Sequence, residues 1–259
     1  MMQHLKVALI QTDIVWQNAE QNRLQFFKKI NAITETVDVI VLPEMFTTGF
    51  SMQPQKIAET MQGETVKWMQ KLAFETQAAI TGSVIICEDN KYYNRFLFVH
   101  PSGEINKYDK RHLFTLAGED KVYASGTEKL IVTYKGWRIC PLICYDLRFP
   151  VWSRNMENYD VLLYVANWPK ARIEAWDTLL KARAIENMCY SIGVNRVGTD
   201  GNNLAYNGHS SVYNCLGKEQ NNVNSEEETV IITLNKNHIS ETRSKLNFLA
   251  DKDSFTLQL

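Results

Sequence analysis

A chain of 259 residues, 45% hydrophobic and 22% charged, carries enough apolar material for a sizeable core and lacks the composition of a disordered protein. Its formal net charge of −1 excludes a broad basic field of the kind that neutralises nucleic-acid phosphates. That charge leaves small neutral or anionic substrates open. No apolar run is long enough to cross a bilayer, and Val7-Ala8-Leu9-Ile10 is too short for the core of a signal peptide, so the cytoplasm is the expected placement.

In chain order, residues 5–11 read as a strand and residues 19–36 as a helix, with apolar Leu24, Phe26, Phe27, Ile30 and Ile33. The continuous apolar run Val39-Ile40-Val41-Leu42, stopped by Pro43, reads as a strand buried on both faces. Residues 64–77 have helical spacing and residues 79–86 return to strand. The polar Glu88-Asp89-Asn90-Lys91 then predicts a hairpin into residues 92–100, and residues 105–108 continue the sheet. Residues 130–134 and 137–144 flank the turn Lys135-Gly136. Further strands are expected at 160–166, 190–197, 209–213 and 229–234, and a helix at 173–188.

Helices between buried strands, together with hairpins elsewhere, predict an α/β fold with mixed sheets. No Pro-, Gly- or Ser-rich linker divides the chain, so one domain spanning 1–259 is expected; residues 218–228 read as an exposed loop. Asp38-Val39-Ile40-Val41-Leu42 and Asp160-Val161-Leu162-Leu163-Tyr164 are loosely similar, without forming a strict repeat. The cysteines Cys87, Cys140, Cys144, Cys189 and Cys215 are odd in number and lack CxxC spacing, which argues against a disulfide framework and a zinc site. No metal or cofactor is expected.

Ligands of open α/β folds bind outside the carboxyl ends of strands, and Glu44, Lys110 and Cys144 each fall just past such an end. Taken singly, they read as a turn carboxylate, a solvated lysine and a core thiol. Their surroundings change that reading. Leu42-Pro43-Glu44-Met45-Phe46, Tyr108-Asp109-Lys110-Arg111-His112-Leu113-Phe114 and Cys144-Tyr145-Asp146-Leu147-Arg148-Phe149-Pro150 resemble, in order, the three motifs of the nitrilase superfamily. The resemblance runs from Leu5 to about Tyr213 and takes in Tyr164-Val165-Ala166-Asn167-Trp168-Pro169 and Ala182-Arg183-Ala184-Ile185-Glu186-Asn187.

The resemblance implies a four-layer α-β-β-α sandwich, a Glu44–Lys110–Cys144 triad and a second glutamate at Glu119, with Asp120 as the adjacent alternative. A free thiol is mostly protonated at neutral pH and an amide is a poor electrophile. Glu44 is therefore expected to take the thiol proton, while the Lys110 ammonium and the Tyr145 N–H stabilise the oxyanion. The cation favours thiolate and the carboxylate opposes it, so no standing thiolate is expected.

Arg148 reads either as a structural partner of Asp146 or Asp160, or as a fork for a substrate carboxylate. The sequence most resembles the omega-amidase branch, in which an arginine of this motif has the second role. That branch hydrolyses the terminal amide of 2-oxoglutaramate to 2-oxoglutarate and ammonia, which implies coupling to a glutamine transaminase. Phe46, Tyr145 and Trp168 are candidate pocket walls. Arg183 and Glu186 read as an intrahelical ion pair, and His112 as an alternative base that the family pattern disfavours. Another amidase or N-carbamoyl hydrolase using the same triad, or a catalytically silent binding module, remain alternative readings. The resemblance also implies a homodimer, while net charge and the lack of a long apolar run argue against a nucleic-acid or membrane partner.

Overall fold

The structure is a computed structural model in which residues 3–257 are described. The first half contains β1 (His4–Gln11), α1 (Ala19–Asn31), β2 (Val39–Val41), α2 (Pro54–Ile57), α3 (Glu64–Thr76), β3 (Ala79–Glu88), β4 (Lys91–Val99) and β5 (Ile105–Asp109). Then come β6 (Val132–Tyr134), β7 (Trp137–Ile143), α4 (Pro150–Ser153), β8 (Val161–Val165), α5 (Ile173–Asn187) and β9 (Tyr190–Val194). The chain continues through β10 (Val197–Thr199), β11 (Ala205–Asn207), β12 (Ser211–Tyr213), β13 (Glu228–Asn235) and α6 (Lys236–Leu246).

Two mixed sheets result, ordered β13-β1-β2-β3-β4-β5 and β12-β9-β8-β7-β6, with β10 and β11 as a separate hairpin. In the first, β1, β2 and β3 are parallel; in the second, β7, β8 and β9 are. The remaining strands pair antiparallel.

The continuous apolar runs follow from burial on both faces. Along β1, Leu5, Val7 and Leu9 face the core between the sheets, while Ala8 and Ile10 face α1 and α3. Val39 and Val41 of β2 point inward and Ile40 outward in the same way. Phe26 and Ile30 of α1 and Val66, Met69, Leu72 and Ala73 of α3 cover the first sheet. Trp176, Leu180 and Ala184 of α5 pack on the second. The order of layers is α-β-β-α. The loosely similar segments are β2 and β8, each the central strand of three parallel ones, so the similarity reflects equivalent positions in the two sheets.

Several expected boundaries move for identifiable reasons. The α1 helix ends at Asn31 instead of residue 36, before the β-branched Thr34, Thr36 and Val37, which lose side-chain freedom in a helix. The strand expected over 190–197 breaks after Val194, because the buried Asn195 side chain accepts from Trp168 N at 2.8 Å and donates to the carbonyls of Trp168 and Gly208. Beyond it, β10 pairs with β11, a hairpin the sequence reading lacks. The helix α6 is also absent from that reading: of its residues only Ile239 is buried, so it has no apolar period. The turn between β6 and β7 is as expected, with Lys135 and Gly136 at φ 48° and 82°.

Candidate active site

Glu44 lies past the end of β2 in a segment held flat against β3. Met45 N–H donates to Ser83 Oγ at 2.8 Å and Phe46 N–H to the Ser83 carbonyl at 3.2 Å. Gly82 permits this approach, since a Cβ there would meet Leu42 Cβ and Phe46 Cδ1 at 3.0 Å. Lys110 follows β5, and its N–H bonds the Asn94 carbonyl at 3.0 Å. The register is locked by buried Arg95, which forks onto Asp109 at 2.6 and 2.9 Å and bonds Glu88 at 2.8 Å. The hydrogen bond and charge of Arg95 bring the Glu88 pKa down to about 2.

Cys144 follows β7 directly, in the left-handed region at φ 44°, a strained conformation for a residue other than glycine. It opens a 3₁₀ turn, Cys144–Arg148. Buried Asp146 fastens this turn to the Lys110 loop: Oδ2 accepts from Ile143 N–H at 2.9 Å and Tyr108 O–H at 2.8 Å, while Oδ1 accepts from His112 N–H and lies 2.8 Å from His112 Nδ1. Asp146 is thus saturated by other partners and does not pair with Arg148.

At the meeting point of these loops Lys110, Glu44 and Glu119 are fully buried together. Lys110 Nζ lies 3.0 Å from Glu44 Oε1 and 2.9 Å from Glu119 Oε2. Asn94 Nδ2 donates to Glu44 Oε1 at 2.7 Å, Asn167 N–H to Glu44 Oε2 at 2.8 Å, and Phe114 N–H to Glu119 Oε2 at 2.6 Å. Asp120, the alternative to Glu119, is exposed.

One cation thus faces two carboxylates and a thiol. Burial disfavours the ammonium, yet Glu119 and Glu44 outweigh it and raise the Lys110 pKa. Burial raises Glu119, against the pull of Lys110. Burial and then Glu44 push the Cys144 thiol well up, with Lys110 only partly opposing. The resting sulfur therefore keeps its proton.

Cys144 and Lys110 open onto a cavity of about 480 Å³, also lined by Tyr145, Arg148, Asn167 and Trp168. Arg148 is exposed and lies over the Trp168 ring at 4.9 Å. Asp160 is occupied by Lys236 and Arg243, so neither expected structural partner holds Arg148. As the second residue of the turn, Tyr145 has an N–H without a partner inside the helix.

Phe46 is a correction: it is fully buried beneath α1 and α3, edge-on to Phe26 at 5.4 Å, and is no cavity wall. The segment after β2 turns at Met45 (φ 45°), sending Glu44 and Phe46 to different layers. His112 stacks on Phe149 at 3.6 Å and lies outside the cavity lining. Arg183 pairs with Glu186 at 2.9 Å and also donates to the Leu147 carbonyl at 2.6 Å, tying α5 to the turn after Cys144.

Sequence reasoning missed Asn94 and Asn167 as partners of Glu44. Asn94 gave little signal, since Arg95 stands beside it and only Phe96 to Val99 of β4 form an apolar run. Asn167 had a better one, since it follows β8 as Glu44 follows β2, and the two strand ends meet across the sheets.

The sequence model of the family described as Carbon-nitrogen hydrolase matches residues 6–244, extending past the limit near Tyr213 set by motif resemblance. The chain is similar to the omega-amidase YafV of Escherichia coli (strain K12), 45% identical over 99% of this chain and 100% of the relative. It is 31% identical to the 2-oxoglutaramate amidase of Bacillus subtilis (strain 168), over 95% of this chain and 96% of that protein. A solved structure of a CN-hydrolase superfamily protein from Xanthomonas campestris, with an arsenic adduct in its active site, superposes with a TM-score of 0.97 at 43% identity, covering 99% of this chain and 100% of that one.

Proposed function

The chain belongs to the carbon-nitrogen hydrolase family, and on that premise we propose that it is an omega-amidase hydrolysing the terminal amide of 2-oxoglutaramate and related short dicarboxylic monoamides. The observation that carries this reading is the buried Lys110–Glu44 contact of 3.0 Å beside the Cys144 thiol, at a cavity whose wall bears Arg148, which has no ion-pair partner among the described residues. Similarity to an omega-amidase and to a 2-oxoglutaramate amidase supports the choice of substrate.

In the proposed mechanism Glu44 takes the thiol proton as Cys144 sulfur bonds to the amide carbon. The Lys110 ammonium and the Tyr145 N–H stabilise the resulting oxyanion. The C–N bond then breaks, Glu44 returns the proton to nitrogen, and ammonia leaves a thioester. Glu44 next deprotonates a water that attacks the thioester; the C–S bond breaks and the sulfur regains a proton from Glu44. Glu119 and Asn94 hold Lys110 and Glu44 in place without reacting. We further propose that the protein acts as a homodimer, which the family resemblance implies, and in the cytoplasm, the placement expected from the sequence.

Ammonia release from 2-oxoglutaramate, compared with N-carbamoyl amino acids and simple nitriles, tests the assignment. Turnover of 2-oxoglutaramate is expected to dominate; no ammonia from it at millimolar concentration would sink the reading.

Arg148 is proposed to hold the substrate carboxylate. Arg148→Lys keeps the charge but loses the planar fork, so KM for 2-oxoglutaramate is expected to rise about tenfold. Neutral short amides should be unaffected, and the melting temperature should not change, because the side chain is exposed. Steady-state kinetics on the charged and neutral amides check this, and unchanged discrimination between them counts against the role.

A further inference from the structure

Arg172 lines the same cavity as Arg148 and has no part in the chemistry above. Trp168 fixes both arginines relative to the wall. Its ring lies beneath the Arg148 guanidinium at 4.9 Å, and its indole N–H donates to the Arg172 carbonyl at 2.8 Å. The Arg172 guanidinium lies over the Phe114 ring at 5.2 Å, and Phe114 meets Tyr145 at 5.0 Å. Both cations therefore rest on aromatic faces, which leaves the N–H edges of their guanidinium groups free for a ligand.

Neither guanidinium has a carboxylate within ion-pairing distance among the described residues. Asp200, the acidic residue of the lining, is already used: it accepts from Tyr206 O–H at 2.9 Å and from the N–H groups of Asn202 and Leu204 at 2.8 and 3.0 Å. Two like charges in one cavity are disfavoured unless an anion lies with them. One bidentate arginine satisfies a simple carboxylate. A 2-oxo acid offers more, because its carbonyl oxygen and one carboxylate oxygen on the neighbouring carbon form a second pair of acceptors.

We propose that Arg172 is a specificity-determining residue that binds this vicinal pair of oxygens, while Arg148 takes the carboxylate. The pair of arginines then selects amides of 2-oxo acids over amides of plain acids of the same length. This rests on the 2-oxoglutaramate reading of the site.

The test measures kcat and KM of wild type, R172Q and R172K on 2-oxoglutaramate and on glutaramate, the same chain without the oxo group. Wild-type turnover of 2-oxoglutaramate checks the underlying reading by itself, and the change from wild type to variant checks Arg172. R172Q is expected to lose about 10- to 100-fold in kcat/KM on 2-oxoglutaramate, mainly through KM, and about threefold or less on glutaramate. R172K should fall between, since lysine keeps the charge without the fork. Equal losses on the two substrates, or none on either, would overturn the proposal. Should R172Q fail to fold, inhibition of the wild type gives the same comparison: 2-oxoglutarate binding at least about tenfold more tightly than glutarate supports the proposal, and equal inhibition overturns it.

Discussion

Cys144→Ala is expected to lower kcat for ammonia release by about four orders of magnitude or more, because it removes the bond-forming atom and leaves only binding and oxyanion stabilisation. The fold should survive. Cys144 is half-buried at the cavity floor, and alanine meets the same backbone strain at φ 44° with a smaller side chain. The wild type, quenched in acid during turnover, should carry an acyl adduct on Cys144 detectable by intact-mass and peptide mass spectrometry. Undiminished activity in the variant, with no adduct on the wild type, would refute the covalent route. Protonation sharpens the expectation. The thiol pKa is pushed up by burial and by Glu44, so on the proposed mechanism the nucleophile forms during the reaction by transfer to a carboxylate already in place.

The legible parts of this protein were those in which one residue's environment repeats along the chain. Burial of β1, β2 and β8 on both faces writes itself as unbroken apolar runs, and the positive-φ turn at Lys135 and Gly136 as a hairpin signal. The strand-end rule brought out Glu44, Lys110 and Cys144, which the fold places together, and the surrounding motifs supplied the roles proposed for them. What the sequence concealed was set by contacts between distant segments. Asn195 stops a strand because it bridges Trp168 and Gly208, α6 hides because one buried isoleucine makes no pattern, and Phe46 reads as a pocket aromatic until the turn at Met45 sends it beneath two helices. Asn167 reaches Glu44 from 123 residues away, a separation that no local pattern encodes.

Lys110 is where the proposed chemistry and the stability of the fold coincide, and Lys110→Met is expected to damage both. The substitution leaves the carboxylates of Glu44 and Glu119 fully buried without a cation, and breaking a buried pair in this way costs about 3–5 kcal/mol. In the wild type the Lys110 pKa is raised on folding, so its contribution is complete below the ordinary lysine value of about 10.4 and is lost only as pH rises through the folded value. In the variant Glu119 loses the cation that opposes the upward push of burial, so its pKa in the fold rises further. Protonation then relieves the repulsion at low pH, so the variant's deficit should grow as pH rises above the usual glutamate range of about 4.3. Urea unfolding at pH 5.5 and pH 8 should show the larger loss at pH 8. Activity should fall by at least about 100- to 1000-fold, because the oxyanion loses its cation. Adding Glu119→Gln to Lys110→Met is expected to recover part of the stability at pH 8 and none of the activity, since it removes the surplus charge without restoring the donor. A Lys110→Met protein of wild-type stability at pH 8 would show that the buried cluster holds its charges in some other way.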